Sequence, residues 1–258
     1  MNEKCLIIGH LSLNDLFIIN GIINYYTTLY NKVYFLCKKK DYKSMLNCFL
    51  NNNLVIPIYI DIDSNVLPLD HKILKNNNNC DIIKMGIHNE NWHSLKSDFI
   101  IGNYPYLYFK TFYEQLNLDY EIRYNYEKIY RDTFREKKFY NKIMEKYNNQ
   151  YIFLYGIKEN DVLSDIPIFN PYKNYYNKYS KFYDHWKGEI SDNIFDYCKI
   201  IENSYEIHIS FSDFLGLSIF LDLSNVKSKY LYTDITNIKD LHKNLNNWNI
   251  MYYTNLEN

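Results

Sequence analysis

The chain has 258 residues and a formal net charge of −1, from 29 Lys and Arg against 30 Asp and Glu. Its length accommodates one large or two small domains with cores of their own, and its balanced charge argues against a nucleic-acid binder working by bulk phosphate neutralisation. No apolar run approaches the roughly 20 residues that span a bilayer, so no transmembrane segment is expected. Met1 to Lys4 leads straight into a strand-length apolar run, without the pattern of a signal peptide. Five scattered cysteines (Cys5, Cys37, Cys48, Cys80, Cys198) form no CxxC and no zinc spacing, which reads as reduced thiols and a cytoplasmic location.

The predicted elements alternate from the start. Cys5-Leu6-Ile7-Ile8 is an apolar run of the kind buried on both faces of a parallel sheet. After Gly9-His10, the polar turn Ser12-Leu13-Asn14-Asp15 leads into apolar residues at helical spacing, Leu16, Ile19, Ile22, Ile23 and Tyr26. Asn20 on that helix reads as a local packing or capping residue. Strands follow at 32–37 and 54–60, with a helix over 41–50 between them. Pro57 marks the second of these strands as an edge. Strands at 81–85 and 99–101 precede a helix from Pro105 to about Asn117. Residues 61–79 read as an irregular polar stretch.

The second half repeats the alternation. A helix extends to about Tyr147, then come a strand at 151–155 ending in Gly156 and an irregular tyrosine-rich region to about Lys187. Further on are a helix at 193–203, a strand at 205–209 and a helix at 214–223. A strand at 229–232, a helix at 238–245 and a last strand at 249–253 complete the chain. Strands and helices alternating at these lengths imply parallel sheets. The predicted fold class is therefore α/β, with two Rossmann-like domains facing each other across a cleft. Residues 1–118 form the N-terminal domain, 119–147 a crossing segment and helix, and 148–258 the C-terminal domain.

Two short motifs carry a resemblance. Ser12-Leu13-Asn14-Asp15, closing the first strand before an apolar helix, resembles the Ser-Leu-Gly-Asp loop of the heptosyltransferase-like (family 9-like) GT-B glycosyltransferases. Near the crossing, Phe112-Tyr113-Glu114-Gln115 and Glu121-Ile122-Arg123 are similar to runs in relatives of that family. In the second half, Glu206-Ile207-His208-Ile209 with Ser212 opening a helix occupies the place of the family's donor loop. Two positions depart from the pattern. The family's glycine is Asn14, a residue that tolerates left-handed backbone. The Asp-Ser-Gly and histidine of the donor loop are replaced by Phe211, Ser212, Asp213 and Gly216.

The resemblance implies metal-independent transfer of a sugar from a nucleotide-sugar co-substrate to a glycan or other hydroxyl acceptor. It implies no separate cofactor and no nucleic-acid partner. Asp15 would be the general base, and burial would have to lift its carboxyl from the usual value of about 3.9. Asp15 is alternatively the N-cap of the helix starting at Leu16. His10, Ser12 and Asn14 would line the first loop, and Gly156, His208, Ser212 and Asp213 the donor side. Exposed N–H groups at the helix opened by Ser212 suit a diphosphate, but the Asp213 charge opposes one. His208 is either at the cleft or a satisfied core histidine.

The chain has three arginines, Arg123, Arg131 and Arg135, amid lysines everywhere else. A retained arginine points to its planar fork, used on phosphate or on a carboxylate. Arg123 is the candidate for the leaving phosphate; the alternative for all three is an ion-pair cluster with nearby acids. Asp61-Ile62-Asp63 has the letters of a metal-binding DxD, though two similar halves argue against the fold that uses it. The cluster of Tyr172, Tyr175, Tyr176, Tyr179 and Trp186 is either a stacking surface for sugars and bases or a by-product of composition. A catalytically degenerate glycosyltransferase-like binding or assembly protein is the main alternative. A dinucleotide oxidoreductase is disfavoured, because Gly9 stands without the other glycines of GxGxxG.

Overall fold

The structure is a computed structural model that describes residues 2–9, 12–60, 80–89, 105–145, 147, 150–162, 164–171, 190–233, 235 and 238–252. His10, the DxD at 61–63, the strand expected at 99–101 and the tyrosine cluster from 172 to 186 lie outside the described residues. The chain divides into two compact units, Met1–Tyr130 and Arg131–Asn258.

In the first unit, β1 (Asn2–Ile8), β2 (Tyr30–Lys38), β3 (Val55–Ile60) and β4 (Asp81–Lys84) form one sheet in the order β3-β2-β1-β4. All neighbours are parallel. Cys5 to Ile8 are buried, as a strand covered on both faces requires. β3, with Pro57, ends the order of the described sheet, where a missing backbone donor is tolerated. Burial pushes the Cys5 and Cys37 thiols up to about 12, so both stay protonated and unreactive at neutral pH.

The helix expected from Leu16 to Tyr26 is two helices, α1 (Leu13–Ile18) and α2 (Asn20–Tyr26). Asn20-Gly21 is a weak helix-forming pair, and tertiary contacts use both residues. Asn20 is fully buried; its Oδ1 accepts from the Lys128 N–H at 2.7 Å and its Nδ2 donates to the Lys128 carbonyl at 3.0 Å. It therefore acts over long range, correcting the expectation of a local cap. At Gly21 a Cβ would lie 2.8 Å from Arg123 Cα and 2.9 Å from its carbonyl oxygen. Only glycine lets α2 approach the backbone of α5 (Glu121–Tyr126) this closely.

α3 (Tyr42–Cys48) follows β2, and α4 (Pro105–Glu114) ends three residues before the expected Asn117. There Asn117 turns left-handed, with φ 53°, and the Leu118 N–H bonds back to the Tyr113 carbonyl at 3.0 Å. This closes the helix as an asparagine C-cap does. Tyr113 is buried, and its hydroxyl donates to the Ile18 carbonyl at 2.8 Å, which occupies an acceptor at the end of α1.

The second unit holds β5 (Ile152–Tyr155), β6 (Ile168–Phe169), β7 (Glu206–Ser210), β8 (Ser228–Tyr232) and β9 (Asn249–Met251). Their order is β6-β5-β7-β8-β9, again with every pairing parallel. β6 falls in the stretch expected to be irregular; two residues between Pro167 and Pro171 leave no periodicity to read. α6 (Thr133–Met144), α7 (Cys198–Glu202) and α8 (Asp213–Ser218) complete the unit.

The helix expected over 238–245 is instead two 3₁₀ turns, Ile238–Leu241 and Lys243–Asn247. They break at His242, whose Nδ1 accepts from the Asn244 N–H at 3.1 Å. The core is aromatic: Phe214 meets Tyr155 at 4.7 Å and both Phe153 and Tyr197 at 5.3 Å between ring centroids. Burying each such ring contributes about 1.5–3 kcal/mol.

Candidate functional site

In open parallel sheets, ligands bind beyond the carboxyl ends of the strands, where consecutive connections leave in opposite directions. The first sheet has that point between β1 and β4, and the second between β5 and β7. The connection after β1 carries Ser12 and the first turn of α1 to Asp15. The connections after β5 and β7 carry Gly156 and, at the start of α8, Ser212-Asp213.

Ser12, with φ −70° and ψ 147°, is the N-cap of α1, and its Oγ accepts from the Asp15 N–H at 3.1 Å. The same hydroxyl donates to the Asp15 carboxylate. Ser12 Oγ serves both the backbone N–H and the carboxylate of Asp15, capping the helix with the one and orienting the other. Asp15 is thus the third helical residue and not the N-cap, correcting that alternative. It is 8 % exposed, as is Asn14. Asn14 lies within α1, and Asn117 is the only non-glycine residue with positive φ among the described residues. The left-handed geometry expected at Asn14 is therefore not used, because helix α1 begins one residue before it.

On the second rim, Gly156 follows β5 with φ 75°, a conformation that side chains oppose. Ser212 stands at the N-cap of α8 with φ −152°, fully buried, but its hydroxyl donates to the Ser210 carbonyl at 3.1 Å and makes no cap hydrogen bond. Asp213, 1 % exposed, begins the helix.

His208 lies inside the sheet face, two residues before the end of β7. Its Nδ1 is 2.8 Å from the Tyr232 hydroxyl and its Nε2 3.3 Å from Glu206 Oε2. Burial lowers its pKa below the usual value, against the opposing pull of Glu206. It is a satisfied interior histidine, and the expectation of a donor contact through it is corrected. Glu-x-His on a strand puts both side chains on one face, a signal that was present in the sequence and unused.

The arginines resolve as ion pairs. Arg123, 1 % exposed, bonds the Tyr120 hydroxyl and pairs with Glu127 at 3.7 Å. It is held inside the first unit, which corrects its assignment to a leaving phosphate. Arg131 forks between Glu136, at 3.0 and 3.1 Å from Nε, and Glu202, at 2.8 Å from Nη2. Arg135 holds Asp196 through two bonds of 2.6 and 2.9 Å. Glu202 and Asp196 were not foreseen as partners, since 71 and 61 residues separate them from their arginines.

Among the described residues, no group of three His, Cys, Asp or Glu side chains could hold a metal ion. No described helix is long and apolar enough to cross a membrane. The fold defines the class: an α/β protein with two parallel sheets of Rossmann-like form. Comparison with known proteins adds no narrower kinship, since no family model, curated protein or solved structure matches the chain.

Proposed function

We propose that the chain is a glycosyltransferase of the GT-B type, moving a sugar from a nucleotide-sugar donor to a hydroxyl acceptor without a metal. In this reading Asp15 is the general base. The observation that supports it is the carboxylate of Asp15 at the switch point of the first sheet, buried and oriented by Ser12. A fixed, partly desolvated carboxylate at a ligand rim suits removal of a proton from an acceptor hydroxyl.

The test is a thermal-shift panel of nucleotides and nucleotide sugars, with and without Mg²⁺, followed by turnover of whichever donor binds. A hundredfold excess over the dissociation constant raises stability by about 2.7 kcal/mol. Asp15→Asn should lower turnover by about 10²–10⁴-fold while donor binding persists. Full activity in that variant would leave Asp15 only as the partner of the Ser12 cap.

A degenerate, partner-binding descendant of such an enzyme is the second reading. It is favoured by the burial of Arg123 away from solvent and by the acid, Asp213, at the second rim. Binding of a sugar nucleotide without any turnover would select it.

A further inference from the structure

Glu206, His208 and Tyr232 form a hydrogen-bonded chain along one face of the second sheet, from the start of β7 towards its carboxyl rim. Their chemistry assigns the protons. An ionised carboxylate only accepts, so His208 Nε2 carries the hydrogen donated to Glu206. Nδ1 of the neutral ring is then an acceptor, and the Tyr232 hydroxyl donates to it. The imidazole is stacked on Tyr230, with ring centroids 4.4 Å apart, and lies 5.8 Å from the Tyr232 ring.

A second proton on His208 cannot be absorbed without rearrangement. Imidazolium is a donor at both nitrogens, so Tyr232 must change from donor to acceptor and turn its own hydrogen elsewhere. We propose that Glu206–His208–Tyr232 is a proton-operated switch, in which protonation of His208 reverses the Tyr232 hydroxyl. The reversal occurs beside the rim, since Tyr232 is paired in register with Ser210, two residues before Ser212. It rests on the geometry of the second unit and is independent of the transferase reading.

The surroundings decide the direction. Glu206 is the charged neighbour on the same strand, Tyr230 and Tyr232 face His208 from β8, and β5 presents apolar Leu154 in register. Lys227 bears on Glu206, and Asp161 on Tyr232. Burial lowers the pKa of His208 against the pull of Glu206 and pushes the Tyr232 hydroxyl up to about 12. Tyr232 therefore keeps its proton in both states, and it is the orientation of that proton that changes.

The experiment is NMR of the full chain labelled with ¹⁵N-histidine and ¹³C-tyrosine, titrated from pH 8 to pH 5, with His208→Gln to assign the signals. Expected are an Nε2–H tautomer at pH 8, a His208 midpoint below about 6.5, and Tyr232 ring shifts that follow the same midpoint. Glu206→Gln should move that midpoint further down, and it keeps the proposal testable if His208→Gln fails to fold. An Nδ1–H tautomer overturns the proposal. So does a Tyr232 signal that ignores the His208 titration, or a His208 that takes up no proton before the unit unfolds.

Discussion

Replacing Arg131 by Met removes a guanidinium that serves two carboxylates at once. The Arg131 side chain is 23 % exposed, Glu136 3 % and Glu202 17 %. Burial pushes the Glu136 carboxyl above the usual range, with Arg131 pulling it back, so deleting the arginine leaves the worse-solvated acid uncompensated. Removing one partner of a fully buried pair costs about 3–5 kcal/mol. Solvent reaching Arg131 and Glu202 reduces this to about 2–4 kcal/mol. At about 4 °C per kcal/mol for a unit of this size, the midpoint should fall by roughly 10 °C. Arg131→Lys should recover only part of the loss, because a point charge cannot fork to both acids. Urea unfolding of the full chain, followed by fluorescence and circular dichroism, measures the difference. Adding Glu136→Leu to Arg131→Met should restore part of the stability, since two apolar groups leave less charge stranded. An Arg131→Met variant within about 0.5 kcal/mol of the parent, or no restoration by the second change, would refute the argument.

Gly21→Ala places a methyl 2.8 Å from Arg123 Cα; overpacking of about 1–3 kcal/mol should exceed the helix-propensity gain of about 1 kcal/mol, and a stabilised variant in thermal unfolding would contradict the close approach. Asn20→Ala removes the Asn20 acceptor from the Lys128 N–H and leaves the Lys128 carbonyl the longer 3.4 Å bond from Asn24 Nδ2; it should cost about 1–3 kcal/mol, with hydrogen exchange at Lys128 rising in parallel, and unchanged exchange there would sink the assignment. Because His208 binds its proton less readily folded than unfolded, its contribution to stability is present above the unfolded value of about 6.5 and is lost as pH falls towards the lowered folded value. The parent should therefore lose stability on acidification through that window relative to His208→Gln, and parallel pH profiles would count against it.

The sheets were legible because their strands are dense in Ile, Val, Leu and aromatics, and apolar runs between turns survive a skewed composition. Pro57 at the end of the first sheet order and the αβ alternation came from the same signal. What escaped depended on distance. Asn20 reads as a local packing or capping residue until Lys128 comes beside it, and the arginine fork closes on Glu202 from 71 residues away. Ser12 as the cap is consistent with the Ser-x-x-Asp spacing, whereas the expectation of a helix starting at Leu16 placed the cap at Asp15, the alternative to its role as a base. The 3₁₀ turns after β8 failed for a local reason: Asn244, Asn246 and Asn247 support helix poorly, and His242 offers the backbone another partner.

Each sheet has a buried aspartate in the first turn of the short helix at its switch point, Asp15 in α1 and Asp213 in α8. The two place opposite demands on a single reaction. A carboxylate at the first rim is what proton removal from a hydroxyl needs. A carboxylate at the second rim opposes a diphosphate: like charges about 4 Å apart cost about 4 kcal/mol at an effective dielectric near 20. The cation expected to offset that charge, Arg123, is inside the first unit. A donor that binds and turns over must therefore carry its diphosphate away from Asp213 or meet a lysine there, and then Asp213→Asn should tighten donor binding. If Asp213 instead accepts hydrogen bonds from sugar or ribose hydroxyls, the same substitution should weaken it. The sign of that single change separates a rim that binds the diphosphate from one that binds hydroxyls.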